Sequence, residues 1–387
     1  MTHVLPGIDV LLQDRIGVLG GQRVGIITNQ TGVTARLEST ALRLVRHPDV
    51  RVTALYSGEH GIRGDIPAGE HVVSATDPAT GLPVYSLYGA TRKPTPEMLQ
   101  DVDLLVFDMQ DAGSRFFTYT WTMALCMQAA AEHGKRMVVL DRPNPIGGSA
   151  VEGGVVQPGY ESFVGLYPVV TRHGLTSGEI AGWLNEKHAI ACDLTVIPMA
   201  GWQRALWYDE TGLPFVPPSP NANCLEMLML YPGTCFFEGT NLSEGRGTTT
   251  PLQVFGAPWL DQTAVITELG ARNLPGVRFR PAGFTPWTSK FAGQFCRGVQ
   301  VHVVDRHALQ PVALGAHLLD VCMRLHPDQF QWLTWGQDQK RTIDRITGSD
   351  RLGKALDAGE PIAAVLTEWE NQAQAFAEAS RPYHLYL

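Results

Sequence analysis

Four short apolar runs restrict this chain most: Arg23 to Thr28, Val50 to Leu55, Val102 to Phe107 and Arg136 to Leu140. Each is continuous rather than alternating, the pattern of a strand buried on both faces. The stretches between them read as helical. Leu37 to His47 carries Leu42, Leu44 and Val45 on one face. Thr95-Pro96-Glu97-Met98 has a capping residue, a proline at the first helical position and an acid in the first turn. Phe117 to His133 is closed by Gly134. Strand–helix alternation of this kind predicts an α/β fold, a Rossmann-like, mostly parallel sheet with helices on both faces. Each run also ends in polar residues: Asn29, then Glu59 and His60, then Asp108 and Asp111, then Asp141 and Arg142. A parallel sheet brings those ends to one edge, where open α/β sheets bind ligands.

The other segments extend this frame. Gly64 to Gly81 is broken by Gly, Pro, Asp and Thr and reads as a long loop near the site. Val84 to Gly89 reads as a short strand. Thr176-Ser177-Gly178-Glu179 is a capping box opening a helix from Ile180 to His188, a structural role for Glu179. Asp193 to Ile197 reads as a further strand, and Pro217-Pro218-Ser219-Pro220-Asn221 as a rigid extended linker or cleft wall. A strand from Gly298 to Val304 and amphipathic helices over Leu309 to Leu325 and Ile362 to Glu378 predict a smaller α+β C-terminal domain. The expected division is 1–235 for the Rossmann-like domain and 236–387 for the smaller one that completes the cleft. The aromatic tail Arg381 to Leu387 is expected to dock, and Trp183 to lie in the core.

Composition excludes several classes. The net charge is −8, which supplies no broad basic face for nucleic acid or an anionic membrane. No run of seventeen or more apolar residues is present, so no membrane span is expected. The opening Met1-Thr2-His3-Val4-Leu5-Pro6-Gly7 has neither a basic nor a long apolar leader region, so a cytoplasmic chain is expected unless it was trimmed from an exported one. The six cysteines are far apart with no C-x-x-C pair, and reduced, buried thiols are expected. No H-x-x-x-H pair occurs, and neither metal nor cofactor is expected.

The richest polar stretch is Tyr56-Ser57-Gly58-Glu59-His60-Gly61-Ile62-Arg63-Gly64. Glycine permits close approach of a ligand to the backbone. A carboxylate, an imidazole and a guanidinium there can combine proton transfer with anion binding. A second cluster runs from Phe237 to Thr248 and holds Glu238, Asn241, Glu244 and Arg246. The absence of G-x-S-x-G and of an early G-x-G-x-x-G disfavours an α/β-hydrolase and a dinucleotide enzyme. Converging carboxylates suit acid/base hydrolysis of a polar substrate, glycoside cleavage being the simplest case. These residues alone do not choose a sugar over a phosphate ester or an amide.

Ordered motifs then carry a resemblance. They are G-I-D-V-L at Gly7 to Leu11, T-N-Q-T-G at Thr28 to Gly32, S-G-E-H-G-I-R-G at Ser57 to Gly64 and F-D-M-Q-D-A-G-S-R at Phe107 to Arg115. Y-T-W at Tyr119 to Trp121, D-R-P-N-P-I-G-G at Asp141 to Gly148 and R-H-G-L-T-S-G-E at Arg172 to Glu179 continue the series. P-S-P-N at Pro218 to Asn221 and E-G-T-N-L-S-E-G-R-G-T at Glu238 to Thr248 complete it. Together they resemble the NamZ/YbbC family of exo-β-N-acetylmuramidases. The resemblance implies a bacterial glycoside hydrolase of cell-wall recycling that removes terminal N-acetylmuramic acid from the non-reducing ends of peptidoglycan fragments. It implies Glu59 as the catalytic acid, with the second group open between a protein group and the sugar's own 2-acetamido oxygen.

His60 and Asp108 join Glu59 as expected catalytic residues. Expected substrate contacts are Asn29, Arg63, Asp111, Arg115, Tyr119, Asp141, Arg142, Asn144, Glu152, Arg172, Asn221, Glu238, Asn241, Glu244 and Arg246. Arg63 is the first choice for the lactyl carboxylate, with Arg115, Arg142, Arg172 and Arg246 in competition. Asp108 and Asp111 stand between substrate contact and capping of the next helix, and Tyr119 and Trp121 between sugar stacking and core. Two other functions stay open: a hydrolase of another acidic or phosphorylated amino sugar, and a non-catalytic amino-sugar-binding protein.

Overall fold

The structure is a computed structural model that describes residues 3–336 and 338–387. Met1 and Thr2, where the reading of no leader begins, lie outside the described residues. The chain opens with α1 (Gly7–Val10), whose turns continue irregularly to Leu19. It then runs through β1 (Arg23–Thr28), α2 (Thr40–Val45), β2 (Arg51–Ser57), β3 (Ala75–Thr76), β4 (Pro83–Ser86) and β5 (Leu104–Asp108). Next come α3 (Tyr119–Glu132), β6 (Arg136–Leu140), β7 (Glu152–Val155), β8 (Val170–Arg172), α4 (Ser177–Lys187) and β9 (Asp193–Ile197). The main sheet has seven strands in the order β3-β4-β2-β1-β5-β6-β9. Every pair in it is parallel except β3 with β4.

Both faces of this sheet are covered, as the continuous apolar runs predict. Ile27, Leu105, Phe107 and Val139 pack with Trp121, Met123 and Met127 of α3 on one face. Their neighbours Val24, Ile26, Leu104, Val106 and Leu140 pack with Ile8, Leu11, Ala41 and Leu44 on the other. The period of two in a strand sends successive side chains to opposite cores.

Two predicted helices are shorter than expected. The first begins at Thr40 because Leu37 is left-handed (φ 63°) and the Ser39 hydroxyl accepts from the Leu42 N–H. Thr95-Pro96-Glu97-Met98 makes only a turn, in which Leu99 N–H bonds Thr95 O at 3.2 Å. Too few residues then remain before β5 for a helix to form. The loop from Gly64 to Gly81 is as predicted, apart from the two-residue β3 within it.

The second half holds α5 (Leu225–Thr234), β10 (Val254–Ala257), α6 (Gln262–Ala271), β11 (Val277–Phe284) and β12 (Cys296–Val303). It ends with α7 (Pro311–Leu325), α8 (Thr342–Thr347), α9 (Arg351–Asp357) and α10 (Ile362–Ser380). Its antiparallel sheet has the order β10-β12-β11. Sequence reading missed α5, which precedes the expected boundary at 235/236 and packs against α7 beyond it. Gly233 of α5 crosses α7 so closely that a Cβ there would lie 1.8 Å from the Pro311 carbonyl oxygen. Only glycine permits that approach. The tail docks as expected: Tyr386 hydroxyl donates to Asp141 Oδ2 at 2.6 Å, and its ring meets Trp202 edge-on.

Candidate active site

Strand β2 delivers Glu59 and His60 to the polar edge of the sheet. His60 and Gly61 are both left-handed (φ 70° and 73°), which turns the chain sharply as it leaves the strand. A non-glycine residue held so costs roughly 1–3 kcal/mol and persists only where its surroundings enforce it. Here the His60 Nδ1–H donates to Ile66 O at 2.7 Å, which fixes the tautomer and leaves Nε2 as the acceptor. Glu59 is almost fully buried. Its Oε1 accepts from Gly69 N–H at 2.9 Å and its Oε2 from the Thr118 hydroxyl at 2.7 Å. No cation pairs with it among the described residues.

The two residues line a cleft of about 540 Å³, a volume typical of small-molecule sites. Tyr88, Phe116, Phe117, Phe163 and Tyr231 supply aromatic walls, with Asn221 beside them. Burial, and then the charge of Glu59, push the Tyr88 phenol well above its ordinary pKa. The opposite wall comes from the second half. Glu238 bonds Arg246 at 2.5 Å, and Glu244 lies 3.4 Å from Arg246 and 2.9 Å from Lys290. Lys290 also donates to the carbonyls of Phe237 and Leu242. Trp335 and Arg345 complete this side.

Burial pushes the His60 imidazole below its ordinary value of 6.5, against the pull of Glu59. On acidification the unfolded chain protonates this side chain first, so stability is lost as pH falls below the unfolded value. His60→Asn, whose side chain tolerates a left-handed backbone, is expected to lose less stability than wild type between about pH 7.5 and about pH 5 in urea unfolding. Equal losses would show that His60 does not carry this term.

Six of the expected residues reach the cleft: Glu59, His60, Asn221, Glu238, Glu244 and Arg246. The others do not, and each has a physical reason. Asp108 is fully buried between β1 and β5, where it accepts from Arg142 Nε at 2.5 Å and from the Thr40 hydroxyl at 2.5 Å. Arg142 is spent on this pair and on Val33 O. Asn29 Oδ1 accepts from the amide and hydroxyl of Thr31 in a local turn. Asp111 accepts from Gly113 N–H and Thr120 Oγ1, tying the strand end to the helix that follows. Arg115 is fully buried, donates to the carbonyls of Gly154, Val169 and Ile346, and is pushed by burial down to about 9.

The remaining residues likewise have partners outside the cleft. Tyr119 donates to Pro218 O at 2.6 Å inside the core, and Trp121 donates to Arg115 O. Asp141 accepts from Thr176, Gly178 and Tyr386, and its burial pushes it up to about 6. Asn144 bridges Leu175 O and Ile146 N–H. Glu152 and Arg172 pair at 2.7 Å, and Glu152 borders a separate hollow of about 740 Å³ beside Trp369. Asn241 pairs with the backbone of Gln329 and Gln331. Arg63 is 61% exposed and turns toward Asp77.

Sequence reading missed Thr118, Tyr88, Lys290 and Trp335, while it placed the loops that carry Gly69 and Phe163 near the site. Tyr88 had a signal, since it closes the stretch from Val84 to Gly89 and so meets the same strand-end rule as Glu59. Lys290 and Trp335 had none, because only the folded second half carries them to the cleft. Among the described residues no group of three His, Cys, Asp or Glu side chains is placed to hold a metal, and no helix is long and apolar enough to cross a membrane. The six cysteines are unpaired.

Comparisons with known proteins agree over the whole chain. Residues 24–226 match the family model described as exo-beta-N-acetylmuramidase NamZ, N-terminal, and residues 229–386 match its C-terminal counterpart. The peptidoglycan beta-N-acetylmuramidase NamZ of Bacillus subtilis (strain 168) is 45% identical over 383 residues, covering 99% of this chain and 91% of the relative. Two crystal structures of DUF1343 family proteins from Bacteroides fragilis NCTC 9343 share the fold. One is 39% identical with a TM-score of 0.92 over 100% of both chains. The other is 30% identical with a TM-score of 0.76 over 99% of both.

Proposed function

This chain belongs to the exo-β-N-acetylmuramidase NamZ family, and from that premise we propose how its cleft performs the reaction. The protein is a glycosidase that releases N-acetylmuramic acid from peptidoglycan fragments. Glu59 is the general acid that protonates the departing glycosidic oxygen. The observation that carries this role is its position: a carboxyl group at the strand end, lining the cleft, with no ion-pair partner among the described residues. Glu238 and Glu244, by contrast, are engaged in ion pairs with Arg246 and Lys290. Gly69 N–H and the Thr118 hydroxyl fix the plane of the Glu59 carboxyl group. A hydroxyl can turn from donor to acceptor, so Thr118 accommodates either protonation state.

The division of the chain at 235/236 belongs to the same reading. It sets Glu59 and His60 on one part and Glu238, Glu244, Arg246 and Lys290 on the other, facing each other across the cleft. The substrate is a terminal muramic residue, and the aromatic walls suit a sugar ring. The test is chromophore release from aryl β-glycosides of N-acetylmuramic acid, N-acetylglucosamine and a phosphorylated amino sugar. Turnover of the muramic substrate above the others is expected. Binding of that sugar without turnover of any glycoside would instead identify a sugar-binding protein.

A further inference from the structure

We infer that Arg92 reads the substrate's carboxylate, the lactyl group that separates N-acetylmuramic acid from N-acetylglucosamine. The inference rests on the muramidase reading above. Four glutamates, Glu59, Glu70, Glu238 and Glu244, line the cleft. An anionic sugar can enter such a place only if an uncommitted cation meets it. Each cation lining the cleft has an acidic partner, although the buried Nε of Arg345 has none among the described residues. Arg246 is held by Glu238 and Glu244, Lys290 spends its donors on Glu244 and two carbonyls, and Arg345 pairs with Asp338.

Arg92 is different. Its guanidinium carbon lies 4.1 Å from the ring centre of Phe163 and 5.2 Å from that of Tyr88. Both rings are walls of the cleft, and they are 5.8 Å apart. Among the described residues, no side chain or carbonyl takes a hydrogen bond or ion pair from Arg92. The side chain is half-buried, so it is held without being neutralised. Two aromatic faces fix the plane of the guanidinium and leave its edge of N–H donors open. That edge matches a carboxylate in two-point geometry. Tyr88 is common to both groups: Arg92 lies over its ring, and the charge of Glu59 acts on its phenol. Arg63, favoured on sequence, is not among the residues lining the cleft and lies 3.6 Å from Asp77.

The test measures kcat/KM for wild type, Arg92→Met and Arg92→Lys on three aryl β-glycosides: N-acetylmuramic acid, its lactyl carboxamide and N-acetylglucosamine. Wild type is expected to prefer the carboxylate. In Arg92→Met the preference over the carboxamide is expected to fall about 10- to 100-fold, the value of a charged hydrogen-bonded pair, chiefly through KM. Arg92→Lys keeps the charge without the fork and is expected to fall between the two. An unchanged preference in Arg92→Met overturns the assignment, as does an equal loss on all three glycosides. So does a loss of preference in Arg345→Met that Arg92→Met lacks. If wild type cleaves none of the three, the muramidase reading fails and takes this one with it. If wild type cleaves selectively and Arg92→Met does too, only Arg92 is wrong.

Discussion

Replacing Glu59 with Gln is expected to lower kcat on an unactivated muramic glycoside by about 10²–10⁴-fold, the usual contribution of a positioned general acid. The amide is isosteric: its oxygen can still accept from Gly69 N–H, and its NH2 can donate to the Thr118 hydroxyl, which turns from donor to acceptor, so both contacts that orient the carboxyl group are kept. The fold should therefore survive, and a matched unfolding midpoint would show it. What the amide lacks is a proton to give. The deficit should shrink as the leaving group improves, because a dinitrophenolate departs without protonation. Comparing phenyl, nitrophenyl and dinitrophenyl glycosides in wild type and Glu59→Gln measures that trend. A deficit of the same size for every leaving group would assign Glu59 to another step, and no deficit at all would remove it from the chemistry.

Asp108→Ala is expected to act on stability. The carboxylate is fully buried and bonds Arg142 through both oxygens, at 2.5 and 2.9 Å, with the Thr40 hydroxyl as a third partner. Removing it leaves a guanidinium buried with no counter-charge, which costs about 3–5 kcal/mol. That is a large share of the roughly 5–15 kcal/mol that holds an ordinary domain folded. Urea unfolding should show a lowered midpoint, while turnover per folded molecule stays within about threefold of wild type, since additivity holds for sites that share no partner. Asp108→Asn keeps part of the hydrogen bonding and should lose less. The reverse result, normal stability with turnover abolished, would return Asp108 to the catalytic role that its strand-end position suggested.

The contrast between these two acids shows how far the sequence could be read. Both follow a continuous apolar strand, and both lie on one edge of the parallel sheet. Local pattern places them there and no further. Asp108 lies at the point where the strand order reverses, between β1 and β5, the usual place for a ligand in such sheets. Here Arg142 and Thr40 fill that crevice, and the cleft is displaced to the end of β2. Partners 34 and 68 residues away decide this, and no short motif records them. Arg115 makes the same point. A motif arginine looked like an anion binder, yet its hydrogen bonds run to three carbonyls, one of them 231 residues away.

By itself the sequence determined the sheet, the placing of helices on both faces, the family, and the edge on which Glu59 and His60 stand. These follow from periodicity and from which residues leave a buried strand, and both are local properties of the chain. Only the tertiary structure decided which of the polar residues at that edge face open space. It closed Asp108, Asp141, Arg142 and Arg172 into buried networks and brought Lys290, Trp335 and Arg345 to the cleft from the other half. It also set Arg92 on two aromatic rings with no acid to hold it. Whether a charge becomes a support or a site depends on the partner that meets it, and partners are chosen by packing between distant segments.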